Sequence, residues 1–252
     1  MKHFTKLLLA ALYISTLALT GCFHIIEEAS FKSNGSGSYK MTLDLSSVKG
    51  MVDMLKSMSE EGKDQGGEKD ASDEAPDMGG APDTDISKMA SEMSQVAQSL
   101  KGIAGLTNVQ EIYDTTTFTF GYAFDFTDVA ALNKAMKTIN KEKYENDVEE
   151  VFRFKNGNFE RLDVGDIGAE MKKSMAKSEE TEGAPDMEMF KSFFGDMSYK
   201  QVYHFPDATV KKSSNPLSQI SGDGRTVTIM LKPFDEEMMK DNPKVGTSVK
   251  LK

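Results

Sequence analysis

Phe118, Phe120, Tyr122, Phe124 and Phe126 occupy every second position of one short stretch, while Thr117, Thr119, Gly121, Ala123 and Asp125 take the positions between them. A period of two is that of a β-strand, whose successive side chains point to opposite faces, so one face of this strand is an aromatic wall. A second alternation runs through Tyr39, Met41, Leu43 and Leu45, separated by Lys40, Thr42 and Asp44. Before it, Asn34-Gly35-Ser36-Gly37 reads as the turn of a hairpin whose first arm starts near Ile25 and ends near Phe31. Helical spacing appears from about Ser47, with Val48, Met51, Val52, Leu55 and Met58 on one face. It returns from about Asp85 to Ala104, through Ile86, Met89, Met93, Val96, Leu100 and Ile103. After the aromatic strand, Thr127 or Asp128 caps a helix with the stripe Val129, Leu132, Ala135, Met136 and Ile139. Asn156-Gly157 suits a type I′ turn and sets Phe154 opposite Phe159 and Arg153 opposite Glu160.

The last third is punctuated by Pro206, Pro216, Pro233 and Pro243. Helices are predicted at 166–177 and 185–194, and strands at Tyr199–Phe205 and Thr226–Leu231, the latter reached from Ser218–Ser221 through an Asp223-Gly224 turn. Val249 and Leu251 predict a final short edge strand. Strands and helices come in pairs rather than in strict alternation. The expected fold is therefore α+β, an antiparallel sheet with helices packed mainly on one face. It forms one domain over residues 25–252, interrupted at about 60–85. That interruption carries ten carboxylates against Lys63 and Lys69, with almost no apolar residue, and reads as a disordered acidic loop.

The N-terminus follows another pattern. Lys2 and Lys6 precede a nearly unbroken apolar run from Leu7 to Leu19, the layout of a secretory signal and too short for a span that needs about 20 apolar residues. The run closes on Leu19-Thr20-Gly21-Cys22, which holds the only cysteine and resembles the lipobox of bacterial lipoproteins. The resemblance implies cleavage of the signal peptide 1–21 after recognition of Leu19, Thr20 and Gly21. It also implies acylation of Cys22, with palmitate-type chains as the membrane partner. Residues 22–24 would be the tether, and the domain would sit close to the bilayer of the cell envelope. Phe23, where aspartate marks inner-membrane retention in some bacteria, leans toward the outer membrane if the cell has one.

Charge narrows the partners. Without Lys2 and Lys6 the chain keeps 28 basic and 40 acidic residues, a surface that repels nucleic acid and anionic headgroups. Candidate chemistry is sparse. After cleavage only His24 and His204 remain as histidines, and a histidine-centred site would have to rest on His204 alone. Glu149-Glu150 and Glu236-Glu237 are pairs of the kind composition produces, and Gly222-Asp223-Gly224 is a turn without a helix behind it. Neither cysteine nor histidine joins the methionine groups Met51/Met54/Met58, Met89/Met93, Met171/Met175 and Met187/Met189 in a copper site. No catalytic residue, metal site or cofactor is expected. The methionines do offer an adaptable apolar surface. Set against Phe118, Phe120, Tyr122, Phe124 and Phe126, they would either enclose a hydrophobic ligand or fill a closed core.

Tyr203-His204-Phe205-Pro206, a connection of about ten residues, Ser218 to Asp223 and a Thr/Val-rich strand running into Pro233 resemble the LppM-type domain of bacterial lipoproteins. That resemblance implies a sheet combined with helices, and a lipid-binding cavity. The expected function is a non-enzymatic, membrane-anchored structural or interaction lipoprotein with an envelope protein as partner. The alternatives are a lipid or hydrophobic-ligand binding module, marked by a pocket along the aromatic strand, and an envelope hydrolase, marked by carboxylates converging with His204 in a cleft.

Overall fold

In the computed structural model the described residues are 23–46, 49, 82–140, 150–163, 195–241 and 243–252, with only the backbone described at 82–87 and 89. The expectations for residues 1–22, for the helix from Ser47, for most of the acidic stretch and for the helices at 166–177 and 185–194 lie outside them.

Turn chemistry and alternation produce the first hairpin. Strand β1 (His24–Phe31) pairs antiparallel with β2 (Gly37–Asp44), His24 opposite Asp44 and Phe31 opposite Gly37. Gly35 bends the turn at φ +81°, where a Cβ would be strained, and Asn34 Oδ1 accepts from Ser36 N at 3.0 Å. Helix α1 (Pro82–Leu100) opens on a proline, whose missing N–H costs a first turn nothing. It ends four residues before the expected Ala104 because Gly102 turns left-handed, φ +92°, just beyond Leu100. Ala97 and Leu100 are buried, with Met93 and Val96 packed beside them.

Strand β3 (Leu106–Asp114) has no counterpart among the expectations. Its apolar residues Leu106, Val109 and Ile112 fall three apart, because Asn108 adopts φ +52° and the register slips between Thr107 and Gln110. Such a bulge erases the period of two. β4 (Thr119–Phe126) is the aromatic strand, paired with β3 on one side and β2 on the other. Phe118 stands outside it at φ +51°, its carbonyl accepting from Leu45 N at 2.9 Å. Asp128 caps α2 (Val129–Ile139), its Oδ1 accepting from Ala131 N at 2.8 Å. β5 (Phe152–Lys155) and β6 (Asn158–Arg161) form the expected two-residue hairpin, with Asn156 and Gly157 both at positive φ and Phe154 opposite Phe159.

The C-terminal part supplies β7 (Ser198–His204), β8 (Val210–Ser213), β9 (Ser218–Ile220), β10 (Thr226–Leu231), the one-turn α3 (Glu236–Met239) and β11 (Thr247–Leu251). Seven strands form one sheet in the order β3-β4-β2-β1-β7-β10-β9, and four form another in the order β5-β6-β11-β8. β11 was expected at an edge. It lies instead inside the smaller sheet, between β6 and β8.

The α+β expectation, an antiparallel sheet with helices packed mainly on one face, is overturned. The described residues are mostly β, and the large sheet is mixed because β1 runs parallel to β7, Ile25 beside Tyr199 and Ala29 beside Tyr203. Across the main core the large sheet meets a second sheet as well as helices: Ala29, Phe31, Tyr203, Val227 and Ile229 share one apolar cluster with Phe152, Phe159, Val210, Val249 and Leu251 of the smaller sheet and with Ala97, Leu100, Ala131 and Leu132 of α1 and α2. Phe31 sits at its centre, its ring 4.8 Å from Phe159, 5.5 Å from Phe126 and 5.9 Å from Phe152. A second cluster gathers Phe23, Leu43, Leu45, Phe118, Phe120 and Met197 near the start of β1.

Candidate functional site

Inward positions along β1 and β7 carry the polar centre of the molecule. On β1 the residues facing the core are Ile25, Glu27, Ala29 and Phe31, and on β7 they are Tyr199, Gln201 and Tyr203. Glu27 is thus an acid in a hydrophobic row, and it is buried. Its Oε1 accepts from the Tyr203 hydroxyl and its Oε2 from the Tyr199 hydroxyl, each at 2.6 Å. Arg161, carried in from the smaller sheet on β6, reaches Oε2 with Nη2 at 3.3 Å and donates Nη1 to Leu162 O at 2.9 Å. Gln201 completes the cluster, accepting from Arg161 Nε at 3.0 Å and donating to Val245 O at 2.9 Å. Burial pulls the guanidinium of Arg161 toward losing its proton, but the charge of Glu27 opposes this and holds it well above its usual range. For Tyr199 and Tyr203 burial and then the Glu27 charge act together, and both phenols stay protonated far above their ordinary value. The arrangement is a closed network that ties the two sheets together. None of its five members was anticipated from the sequence, although the acid of Glu27 in phase with Ile25, Ala29 and Phe31 was a visible signal.

The expected aromatic wall is buried at every position from Phe118 to Phe126. Its rings are taken up by neighbours within the fold: Phe124 stacks on Tyr39 at 5.2 Å, Phe126 meets Phe31 at 5.5 Å, and Phe120 meets Tyr113 at 5.4 Å. Lys49 Nζ lies 5.6 Å above the ring of Phe118.

His204 lies on the opposite face of the large sheet. Its Nε2 meets Glu28 Oε1 at 2.8 Å and its Nδ1 meets Thr226 Oγ1 at 3.1 Å, with histidine and carboxylate both a little over a third exposed. With Ser38, Lys40, Asn108 and Asp125 they border a shallow depression of about 340 Å³. One carboxylate, Glu28, is therefore placed on His204, while Asp125 stands three strands away along the row Asp125, Ser38, Ser30 and His204. The hydroxyl beside it belongs to Thr226, whose own N–H is spent on Ser221 Oγ at 3.0 Å and supplies no donor for an oxyanion. A larger depression of about 750 Å³ lies between Leu217 and Met238, far along the chain from the aromatic strand. Among the described residues no group of three or more His, Cys, Asp or Glu is placed to hold a metal ion.

Cys22, Leu19, Thr20 and Gly21 lie outside the described residues, but the residue bonded to Cys22 does not. Phe23 is buried, its carbonyl accepts from Ser198 N at 2.9 Å, and β1 begins at the next residue, His24, whose Nδ1 meets Ser198 Oγ at 2.7 Å. Among the described residues no helix is long and apolar enough to cross a membrane.

Fold and site together define a mostly β domain of two sheets, pinned by a buried acid, arginine and tyrosine network. No protein-family model matches the chain, and no curated protein matches it in sequence. Among solved structures, the NMR structure of the Mycobacterium tuberculosis LppM folded domain aligns with 91% of this chain and 89% of its own, at 12% identity and a TM-score of 0.35. A likeness this slight carries no weight for fold or function.

Proposed function

We propose that this chain is a non-catalytic lipoprotein of the cell envelope, held by acyl chains on Cys22, in the outer membrane where the cell has one, and acting by binding an envelope protein. The observation that carries the reading is the placement of Phe23. A lipobox cysteine is followed at once by a residue whose side chain and carbonyl both belong to the fold, and β1 is an interior strand of the large sheet. No slack chain separates anchor from domain. Single acyl chains bind membranes only marginally, with a constant of about 10⁴ M⁻¹, so the two or three chains of a bacterial lipoprotein are needed to hold it.

The aromatic rings support a filled core over a ligand cavity, since they contact one another and their neighbours on β1, β2 and β3. The His204–Glu28 pair supports an electrostatic role better than a hydrolytic one, because among the described residues the hydroxyl beside it, on Thr226, has no donors set opposite it.

Cys22→Ser in the full-length chain tests the anchor. The wild type should carry an acyl adduct on its N-terminal peptide by mass spectrometry and sediment with membranes; the variant should lack the adduct and keep its signal peptide. A variant that is still processed and acylated would sink the proposal.

A further inference from the structure

The strand register fixes which end of the domain lies at the anchor. Moving outward from His24, the row of paired residues runs through Asp44 on β2, Thr119 on β4 and Asp114 on β3 in one direction, and begins with Ser198 on β7 in the other. The start of β1 is therefore level with the end of β2, the start of β4, the end of β3 and the start of β7. Cys22 Cα lies one peptide, about 3.8 Å, from that of Phe23, and Phe23 is fastened to Ser198 in this same row. The opposite end, at Phe31 and Gly37, is seven rows away, roughly 23 Å at about 3.3 Å per residue.

Exposed apolar side chains are unevenly placed along this axis. Tyr113, 60% exposed, pairs with Phe120, which is level with Leu43 and Ile25, one row from His24. Met230, 38% exposed, pairs with Lys200, level with Ile26, two rows from His24. Ile220, 44% exposed, is five rows out, level with Ala29. Tyr113 and Met230 stand on strands to either side of β1, five strand positions apart and on opposite faces of the sheet, so they flank the anchor from both faces across about 24 Å of sheet at about 4.8 Å per strand. A tyrosine with an apolar ring and a polar tip is suited to the headgroup level of a bilayer.

We propose that the sheet end bearing Phe23 rests on the lipid surface that holds Cys22, with Tyr113 and Met230 as flanking contacts. The partner is a bilayer with zwitterionic headgroups, because the acidic surface of the chain, with Glu111 and Asp114 beside Tyr113, disfavours anionic lipid. This inference rests on the acyl anchor proposed above. It adds a fixed orientation, with the hairpin tip at Lys32–Gly37 pointing away from the membrane.

The chain contains no tryptophan, so Tyr113→Trp and Lys32→Trp each introduce a single fluorophore at an exposed site. Each full-length variant would be acylated in cells, its adduct confirmed by mass, and reconstituted into phosphatidylcholine vesicles with or without bromine on the acyl chains. The fluorophore at 113 should lose about half its emission to brominated lipid and the one at 32 almost none, as expected for interfacial against distal positions. With the adduct present, quenching at 113 no greater than at 32 overturns the orientation and leaves the anchor standing. A chain without the adduct overturns both.

Discussion

Glu27 and Arg161 are the two side chains the core is least able to leave alone. A carboxylate and a guanidinium at this depth are costly to desolvate, and the cost is offset only because two phenols, a backbone carbonyl and the Gln201 amide satisfy what the pair does not. Glu27→Gln keeps the shape and removes the charge, leaving the guanidinium buried without a counter-ion. It should cost about 3–5 kcal/mol in urea unfolding. Arg161→Met added to that variant should cost little more, because the first change has already broken the interaction, giving a coupling energy of about 2–3 kcal/mol. Additive losses would show that the two groups act separately. Half of this pair was legible: Glu27 falls on the inward phase of an apolar strand. Arg161 was not, since it lies 134 positions away and ends a hairpin whose own pattern explains it without reference to Glu27.

Elements with local causes were legible for the same reason that they form. Asp128 and the stripe that ends at Ile139 made α2, and Asn156-Gly157 made the β5–β6 hairpin, because each rests on residues a few positions apart. β3 was hidden by its bulge at Asn108, and β8 by having a single buried residue, Val210. How elements join is a separate matter, and α2 and β5 show it. Asn133 Oδ1 accepts from Val151 N at 3.0 Å and Phe152 N at 2.9 Å, while its Nδ2 donates to Phe152 O at 2.8 Å, so one amide side chain does for the start of β5 what a neighbouring strand would do. Asn133→Ala should therefore leave the capped helix intact and release the strand. The expected cost is about 2–3 kcal/mol, from partly buried backbone groups left without partners. Hydrogen exchange at Val151 and Phe152 should accelerate, while exchange along α2 stays unchanged. Equal acceleration in both elements would mean that the side chain supports the helix rather than the junction.

At the scale of the whole molecule, the parallel pairing of β1 with β7 joins residues 174 apart and no short-range pattern announces it, which is why an antiparallel sheet under helices was the natural expectation from local spacing. The same joining brings four tyrosines into one interior. Tyr39 and Tyr122 come from the β2–β4 side and Tyr199 and Tyr203 from β7, all buried around the charge of Glu27. In each, burial first and Glu27 second raise the phenol above its ordinary value. In the unfolded chain these phenols ionise near pH 10, whereas in the fold they keep their protons. Above about pH 10 the folded state thus binds more protons than the unfolded one, and its stability must fall as pH rises. The contribution of the four is complete below that pH and is lost above it, at up to about 1.4 kcal/mol per pH unit for each phenol. Urea unfolding should give a flat contribution from these groups between pH 7 and 9 and a steep decline beyond about 10.5, with phenolate absorbance from the buried set appearing together with the loss of structure. Tyr199→Phe removes one titrating group and should make the alkaline decline shallower, even though losing its hydrogen bond to Glu27 lowers stability at neutral pH. An unchanged slope in that variant, or phenolate from the buried tyrosines in protein that is still folded, would mean that the interior admits the charge and that the two sheets are less tightly closed on one another than their contacts require.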